Sequence, residues 1–213
     1  QIVDDDLVTA SNLQRQILHS TARIGVPKAD SAALAIAALN PDVRLRLHRA
    51  RLCAQNAIEL LSDCDVVVDG SDNFATRYVV NDAALRLDKP VVSGAVLRYE
   101  AQIAVFGGAP CYRCLFPSAP PAEFSPSCVE AGVLGVVPGL IGVLQATEAL
   151  KLILRIGAPS FGRLITYDAL TLRFSELTVK ADPACPSCAP HVDRSRLVIR
   201  DDPPQFASCP TYP

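Results

Sequence analysis

Half of the 213 residues are hydrophobic, enough for one compact α/β domain with a buried core. The 20 basic and 22 acidic residues nearly cancel, and no basic block stands out, which speaks against DNA or an RNA-tracking surface as a partner. The longest apolar run, Ala131 to Leu144, has 14 residues, short of the roughly 20 that span a bilayer. It contains Pro138 and reads as a core-facing loop and helix start. No secretory signal opens the chain, so the expectation is a soluble, cytoplasmic protein with no membrane partner.

In chain order, Gln1-Ile2-Val3 reads as a strand running into Asp4-Asp5-Asp6. Ser11 to Gln16 reads as a helical turn capped by Ser11. A firm alanine-rich helix follows over Ala29 to Leu39, stopped by Asn40-Pro41. Val43 to His48 alternates apolar and basic residues, as a half-exposed strand does. Ala57 to Leu61 reads as a short helix. Asp65 to Asp69 is a β-branched run bounded by charge, the pattern of a buried parallel strand. Helix Asn73 to Leu87 and strand Pro90 to Ser93 come next, and this strand–helix–strand alternation predicts a doubly wound, Rossmann-like, mostly parallel sheet.

The second half changes character. Ala95 to Arg98 and Ala101 to Phe106 read as an antiparallel pair. Residues 115–137 form a proline- and serine-rich crossover loop, and Leu140 to Leu154 is a long apolar helix. Leu164 to Asp168 and Leu172 to Val179 read as closing strands, giving the sheet an antiparallel C-terminal extension. The domain is expected over residues 1–190, with 191–213 as a flexible polar tail.

The eight cysteines are not spread like a disulfide framework. Cys111 with Cys114, and Cys185 with Cys188, make two C-x-x-C pairs; the other four stand singly. Four thiolates satisfy tetrahedral Zn2+ and leave no open position, so such a site is structural. Redox-active C-x-x-C motifs or unpaired thiols are the competing readings at this point.

An acid just past a strand can accept hydrogen bonds from ribose hydroxyls in a nucleotide-binding βαβ unit, and Asp4 sits there. Asn12, Arg15 and Lys28 nearby offer an amide, a forked donor and a point cation, a set suited to a sugar and polyphosphate. Asp69 and Asp72 lie at the carboxyl end of the buried strand, where open α/β sheets bind ligands, and a carboxylate there can hold Mg2+ against phosphates. The simpler role for Asp72 is to cap the helix that starts at Asn73.

Six segments occur in order: Ser11–Gln16, Asp69–Asn73, Pro110–Cys114, Cys128–Gly135, Gln145–Lys151 and the final C-x-x-C. Together, over roughly residues 1–190, the chain resembles the ThiF/MoeB/HesA branch of the ubiquitin-activating-enzyme superfamily. The resemblance implies an adenylyltransferase that activates the C-terminal glycine of a small ubiquitin-like (β-grasp) sulfur-carrier protein, as in molybdopterin or thiamine biosynthesis. It implies ATP, Mg2+ and Zn2+. Asp4 matches the ribose-binding acid, Asn12, Arg15 and Lys28 match residues that hold the phosphates, and Asp72 matches the acid near Mg2+. Cys111, Cys114, Cys185 and Cys188 match the zinc ligands. Cys128 matches a cysteine that in some members links covalently to the carrier. Arg15, Lys28, Asp72 and Cys128 are thus the candidate catalytic residues.

The resemblance also implies a homodimer and, with no rhodanese-like segment after residue 190, a separate sulfur donor. The family's first strand, its glycine-rich phosphate loop and an N-terminal arginine would lie before Gln1, and no G-x-G-x-x-G occurs in these residues. The expectation is a longer gene product, or a marginal and inactive fragment. Three rival functions are adenylation of a tRNA-borne carboxylate, a nucleotide-dead zinc-stapled module that binds a ubiquitin-like partner, and an NAD-dependent oxidoreductase.

Overall fold

The computed structural model describes residues 1–121 and 131–201; Cys128 and the last twelve residues lie outside them. The chain divides into two compact units, whose described parts are residues 1–52 and 53–201.

The first unit is a β-α-β arrangement. Strands β1 (Ile2–Val3) and β2 (Leu47–His48) pair in parallel, Ile2 beside Leu47 and Val3 beside His48. Helix α1 (Lys28–Leu39) supplies the crossover and ends at Asn40, whose backbone is extended. Its alanines allow close packing, with Ala29 and Ala32 buried. The strand expected from Val43 shrinks to its last two residues. The turn near Ser11 is a short 3-10 helix, Ala10–Asn12, preceded by Thr9 with no side-chain cap. Ser11 therefore lies inside the turn and is not its cap; its hydroxyl contacts that of Thr9 at 3.1 Å.

The second unit carries a five-stranded sheet in simple sequence order: β3 (Val67–Asp69), β4 (Val91–Leu97), β5 (Glu100–Phe106), β6 (Arg163–Asp168) and β7 (Arg173–Thr178). Only β3 and β4 pair in parallel, and the three remaining pairs are antiparallel. The sheet is therefore mixed, which corrects the expectation of a mostly parallel one. For the first two pairs, connection length is the reason. Helix α3 (Phe74–Leu87) gives β3 and β4 a crossover, whereas β4 and β5 are joined by Arg98-Tyr99 alone, and two residues can only reverse the chain. The segments Pro90–Ser93 and Ala95–Arg98, expected as separate strands, form one continuous β4.

Helix α2 (Ala57–Ser62) packs beside α3, and a single turn, α4 (Tyr112–Leu115), carries the first cysteine pair. Helix α5 (Val136–Leu154) starts four residues before the expected Leu140. Pro138 sits in its first turn, where a missing N–H costs nothing. One face of α5 packs on the sheet: Val137 and Ile141 meet Ala101, while Leu144, Ala149 and Leu152 meet Val92, Ile103 and Val105. By length and composition this 19-residue helix would pass as a membrane span. Yet Gln145 and Glu148 within it are buried and hydrogen-bonded.

Beyond His191 the chain makes specific contacts as far as it is described. Val192 and Leu197 pack on the cysteine cluster, Arg194–Arg196 forms a 3-10 turn, and Asp201 Oδ1 accepts a hydrogen bond from Ala54 N–H at 3.0 Å.

Candidate functional site

In the first unit, β1 delivers Asp4 just past its last residue, with Asp4 N–H donating to His48 O at 3.1 Å. Asp4 Oδ1 accepts from Asp6 N–H at 2.8 Å. Burial raises the Asp4 carboxyl above its usual range, against the pull of that hydrogen bond and of the Lys28 charge. Lys28 opens α1 with only 9% of its surface exposed. Its Nζ lies 2.6 Å from Asp6 Oδ2 and its N–H donates to Asp6 O at 2.8 Å, so Asp6 holds both ends of the lysine.

His19 belongs to the same neighbourhood. Its Nδ1 is 2.8 Å from Ser31 Oγ, and Arg23 Nη1 donates to Ser31 O. Partial burial first, then the Lys28 and Arg23 charges, lower the His19 pKa. Asn12 and Arg15 share the preceding turn: Asn12 O accepts from Arg15 N–H and Gln16 N–H at 3.1 and 2.9 Å, and Arg15 Nη1 reaches Ser11 O at 3.4 Å. The expected four residues thus fall into two pairs, Asp4 with Lys28 and Asn12 with Arg15.

In the second unit, the two acids after β3 have different fates. Asp69 is buried, accepts from Ser71 N–H at 2.9 Å and so shapes the turn; desolvation raises its pKa. Asp72 is exposed. The helix cap is Asn73, whose Oδ1 accepts from Thr76 N–H at 2.9 Å. Asp72 is therefore not the cap, and among the described residues no side chain occupies its carboxylate. Two further groups brace this loop. Arg77 donates to Ser71 O through Nε and Nη2 at 3.2 and 2.7 Å. Gln145 Nε2, from α5, donates to Asp69 O at 2.8 Å and Val92 O at 3.1 Å.

The cysteine pairs converge as a third constellation. The four Sγ atoms of Cys111, Cys114, Cys185 and Cys188 all lie within 4.8 Å of one another. Cys111 and Cys185 are 3.6 Å apart and Cys114 and Cys188 3.3 Å. A tetrahedral Zn2+ with bonds of about 2.3 Å requires sulfurs about 3.8 Å apart, so the set fits such an ion after small adjustment. Burial and the neighbouring sulfurs push the Cys111 thiol up, and Cys188 is pushed up to about 12, burial being the main cause. Burial also acts on Cys114, but backbone hydrogen bonds, Asp182 N–H foremost, outweigh it and lower that thiol. A cation bound among the four sulfurs would offset the upward push on Cys111 and Cys188.

The profile of the ThiF family matches residues 1–187. The chain belongs to the ThiF family. It is 49% identical over 204 residues to the sulfur carrier protein adenylyltransferase of Thermus thermophilus, covering 92% of this chain and 75% of that protein. It is 45% identical to the probable adenylyltransferase/sulfurtransferase MoeZ of Mycobacterium tuberculosis, covering 97% of this chain but 55% of that one. The chain thus spans three quarters of one relative and about half of the other. In three dimensions it resembles Escherichia coli MccB, with a TM-score of 0.76 at 17% identity over 89% of this chain and 57% of MccB. The fold is Rossmann-like α/β with a mixed sheet.

Some residues of this ThiF-family chain were not singled out by sequence reasoning. Asp6, which holds Lys28, was hidden in a run of three identical acids. Arg77 follows the D-N pair at a spacing of one helical turn and reads as an ordinary helix surface residue. Gln145 gave a usable signal: it interrupts an apolar helix, and a buried amide there needs partners.

Proposed function

We propose that this ThiF-family chain catalyses the ATP-dependent adenylation of the C-terminal glycine carboxylate of a small ubiquitin-like sulfur-carrier protein. The observation that carries this reading is the 49% identity, over 92% of the chain, to a sulfur carrier protein adenylyltransferase. The geometry supports it through an exposed Asp72 at the carboxyl edge of β3, released from capping by Asn73 and held on a loop braced from three sides.

The carrier carboxylate attacks the α-phosphorus of ATP, a P–O bond to it forms, and the bond to the leaving pyrophosphate breaks. The carboxylate is already ionised at neutral pH and needs no general base. Positioning and charge neutralisation therefore lower the barrier. Asp4 accepts from the ribose hydroxyls, while Asn12, Arg15 and Lys28 hold the phosphates. Lys28 must exchange its partner, since its ammonium rests on Asp6, and that partner holds it in place until the triphosphate competes for it. Asp72 would hold Mg2+, which when bound offsets charge on the phosphate oxygens. Cys111, Cys114, Cys185 and Cys188 would hold Zn2+ as a structural clasp with no vacant position. Cys128 is the candidate for a covalent link to the carrier.

A homodimer in the cytoplasm, served by a separate sulfur donor, completes the proposal. Support for self-association comes from α5. Val136, Val143 and Leu150 recur every seven residues and are exposed, with the small Gly139 and Ala146 between them. This is an apolar stripe suited to close helix packing.

ATP–pyrophosphate exchange with purified carrier tests the reading. Exchange should require the carrier and its intact C-terminal glycine, and should fall by about two orders of magnitude or more in Asp72→Ala, as when a charge-stabilising group is removed from an active site. Carrier-independent exchange, or full activity in that variant, would refute it.

A further inference from the structure

The two cysteine pairs join residues 74 positions apart, yet one carboxylate touches the middle of both. Asp82, on α3, is 3% exposed. It accepts from Arg113, the residue between Cys111 and Cys114, through Nε at 3.1 Å to Oδ1 and Nη2 at 2.8 Å to Oδ2. Its Oδ1 also accepts from the hydroxyl of Ser187, the residue between Cys185 and Cys188, at 2.8 Å. Asn81 strengthens the first side: its Oδ1 accepts from Tyr112 N–H at 2.8 Å, and its Nδ2 donates to Asp82 Oδ1 at 2.9 Å. The guanidinium of Arg113 also lies over the Tyr78 ring, 4.3 Å from its centre.

A buried carboxylate is tolerated only while its donors stay in place; losing one strands a charge in a medium that solvates it poorly. If the first knuckle moved, Asp82 would lose its guanidinium, and if the second moved, it would lose its hydroxyl. Both displacements are therefore resisted by the same group, through links that involve no sulfur. The four sulfurs are gathered by the polypeptide, and an entering ion has little chain left to order. Groups outside the ligand set that orient it in this way commonly govern metal affinity.

We infer that Asp82 is the positioning residue of the four-cysteine site, clamping both knuckles through Arg113 and Ser187 so that the thiolates are preorganised for a divalent cation. The inference rests on the zinc reading given above. It predicts that affinity for the ion depends on residues that never touch it.

The test uses the full chain, with Zn2+ affinity measured by competition against a chromophoric chelator. Asp82→Asn keeps the shape but weakens the Arg113 bond and turns part of the acceptor set into donors; it should bind Zn2+ about 10–100-fold more weakly. Ser187→Ala removes a single hydrogen bond to Asp82 Oδ1 and leaves the Arg113 Nη2–Oδ2 bond in place. It should fold with parental circular dichroism and weaken binding several-fold. Ile103→Val, a core change remote from the knuckles, should leave the affinity unchanged and so separates clamping from general loss of stability. Parental affinity in a folded Ser187→Ala variant overturns the clamp, whatever Asp82→Asn does. A parent chain that binds no Zn2+ overturns the metal reading and the clamp with it, whereas a zinc-binding parent with unaffected variants sinks the clamp alone.

Discussion

Gly94 offers a sharp test of how α5 is held to the sheet. A Cβ built there would lie 2.5 Å from Gln145 Cδ, 2.6 Å from Oε1 and 2.8 Å from Nε2. Real Cβ contacts are not that short, so in Gly94→Ala something must move. The amide is not free to swing away, because Nε2 is committed to Asp69 O and Val92 O and the residue is 7% exposed. Moving it forfeits two hydrogen bonds at about 0.5–1.5 kcal/mol each, and the overpacking adds about 1–3 kcal/mol. We expect a loss of about 2–6 kcal/mol. For a chain of this size that corresponds to a fall in Tm on the order of 4–24 °C, read by thermal unfolding in the far-ultraviolet. Gln145→Ala is destabilising in its own right, but it clears the space, so the second substitution should then cost little. The cycle should show a coupling of at least about 1 kcal/mol. A Gly94→Ala variant that melts with the parent, or two costs that simply add, would refute the argument that this glycine exists to admit the glutamine.

Two further outcomes follow from the acids and from α5. Asp69→Asn keeps an acceptor for Ser71 N–H and removes a buried charge, so at neutral pH it should be at least as stable as the parent and retain exchange activity, while Asp72→Asn should lose it. Burial raises the folded pKa of Asp69, so the folded state keeps that proton at a pH where the unfolded chain, near 3.9 for an aspartate, has released it. This residue's contribution to stability therefore declines as pH rises through the window above about 3.9, and the stability difference between the parent and Asp69→Asn should show that slope; the opposite slope, or dead enzyme in Asp69→Asn, contradicts the assignment. On α5, Val143→Asp places a charge in the exposed stripe and should turn a dimer into a monomer by sedimentation analysis, with secondary structure unchanged. A parent that is monomeric at micromolar concentration removes the case for that interface.

Much of this protein could be read from the order of its residues. The β-branched run ending at Asp69, the alanine-rich α1 and the paired cysteines each follow from local chemistry: strand preference, helix propensity with a proline stop, and ligand spacing. The family was legible too, because its motifs are short and ordered. Tertiary structure decided the rest, since it concerns partners remote in sequence. Asp69 and Asp72 look equivalent in D-G-S-D-N, yet only their surroundings make one a buried turn former and the other an exposed acid. The β3–β4 pair is parallel because a helix crosses between its strands, and the β4–β5 pair is antiparallel because only two residues join them. Asp82 carried no signal at all: a lone acid on a helix becomes a clamp only when Arg113 and Ser187 are folded against it, because a buried charge takes its meaning from the donors that surround it.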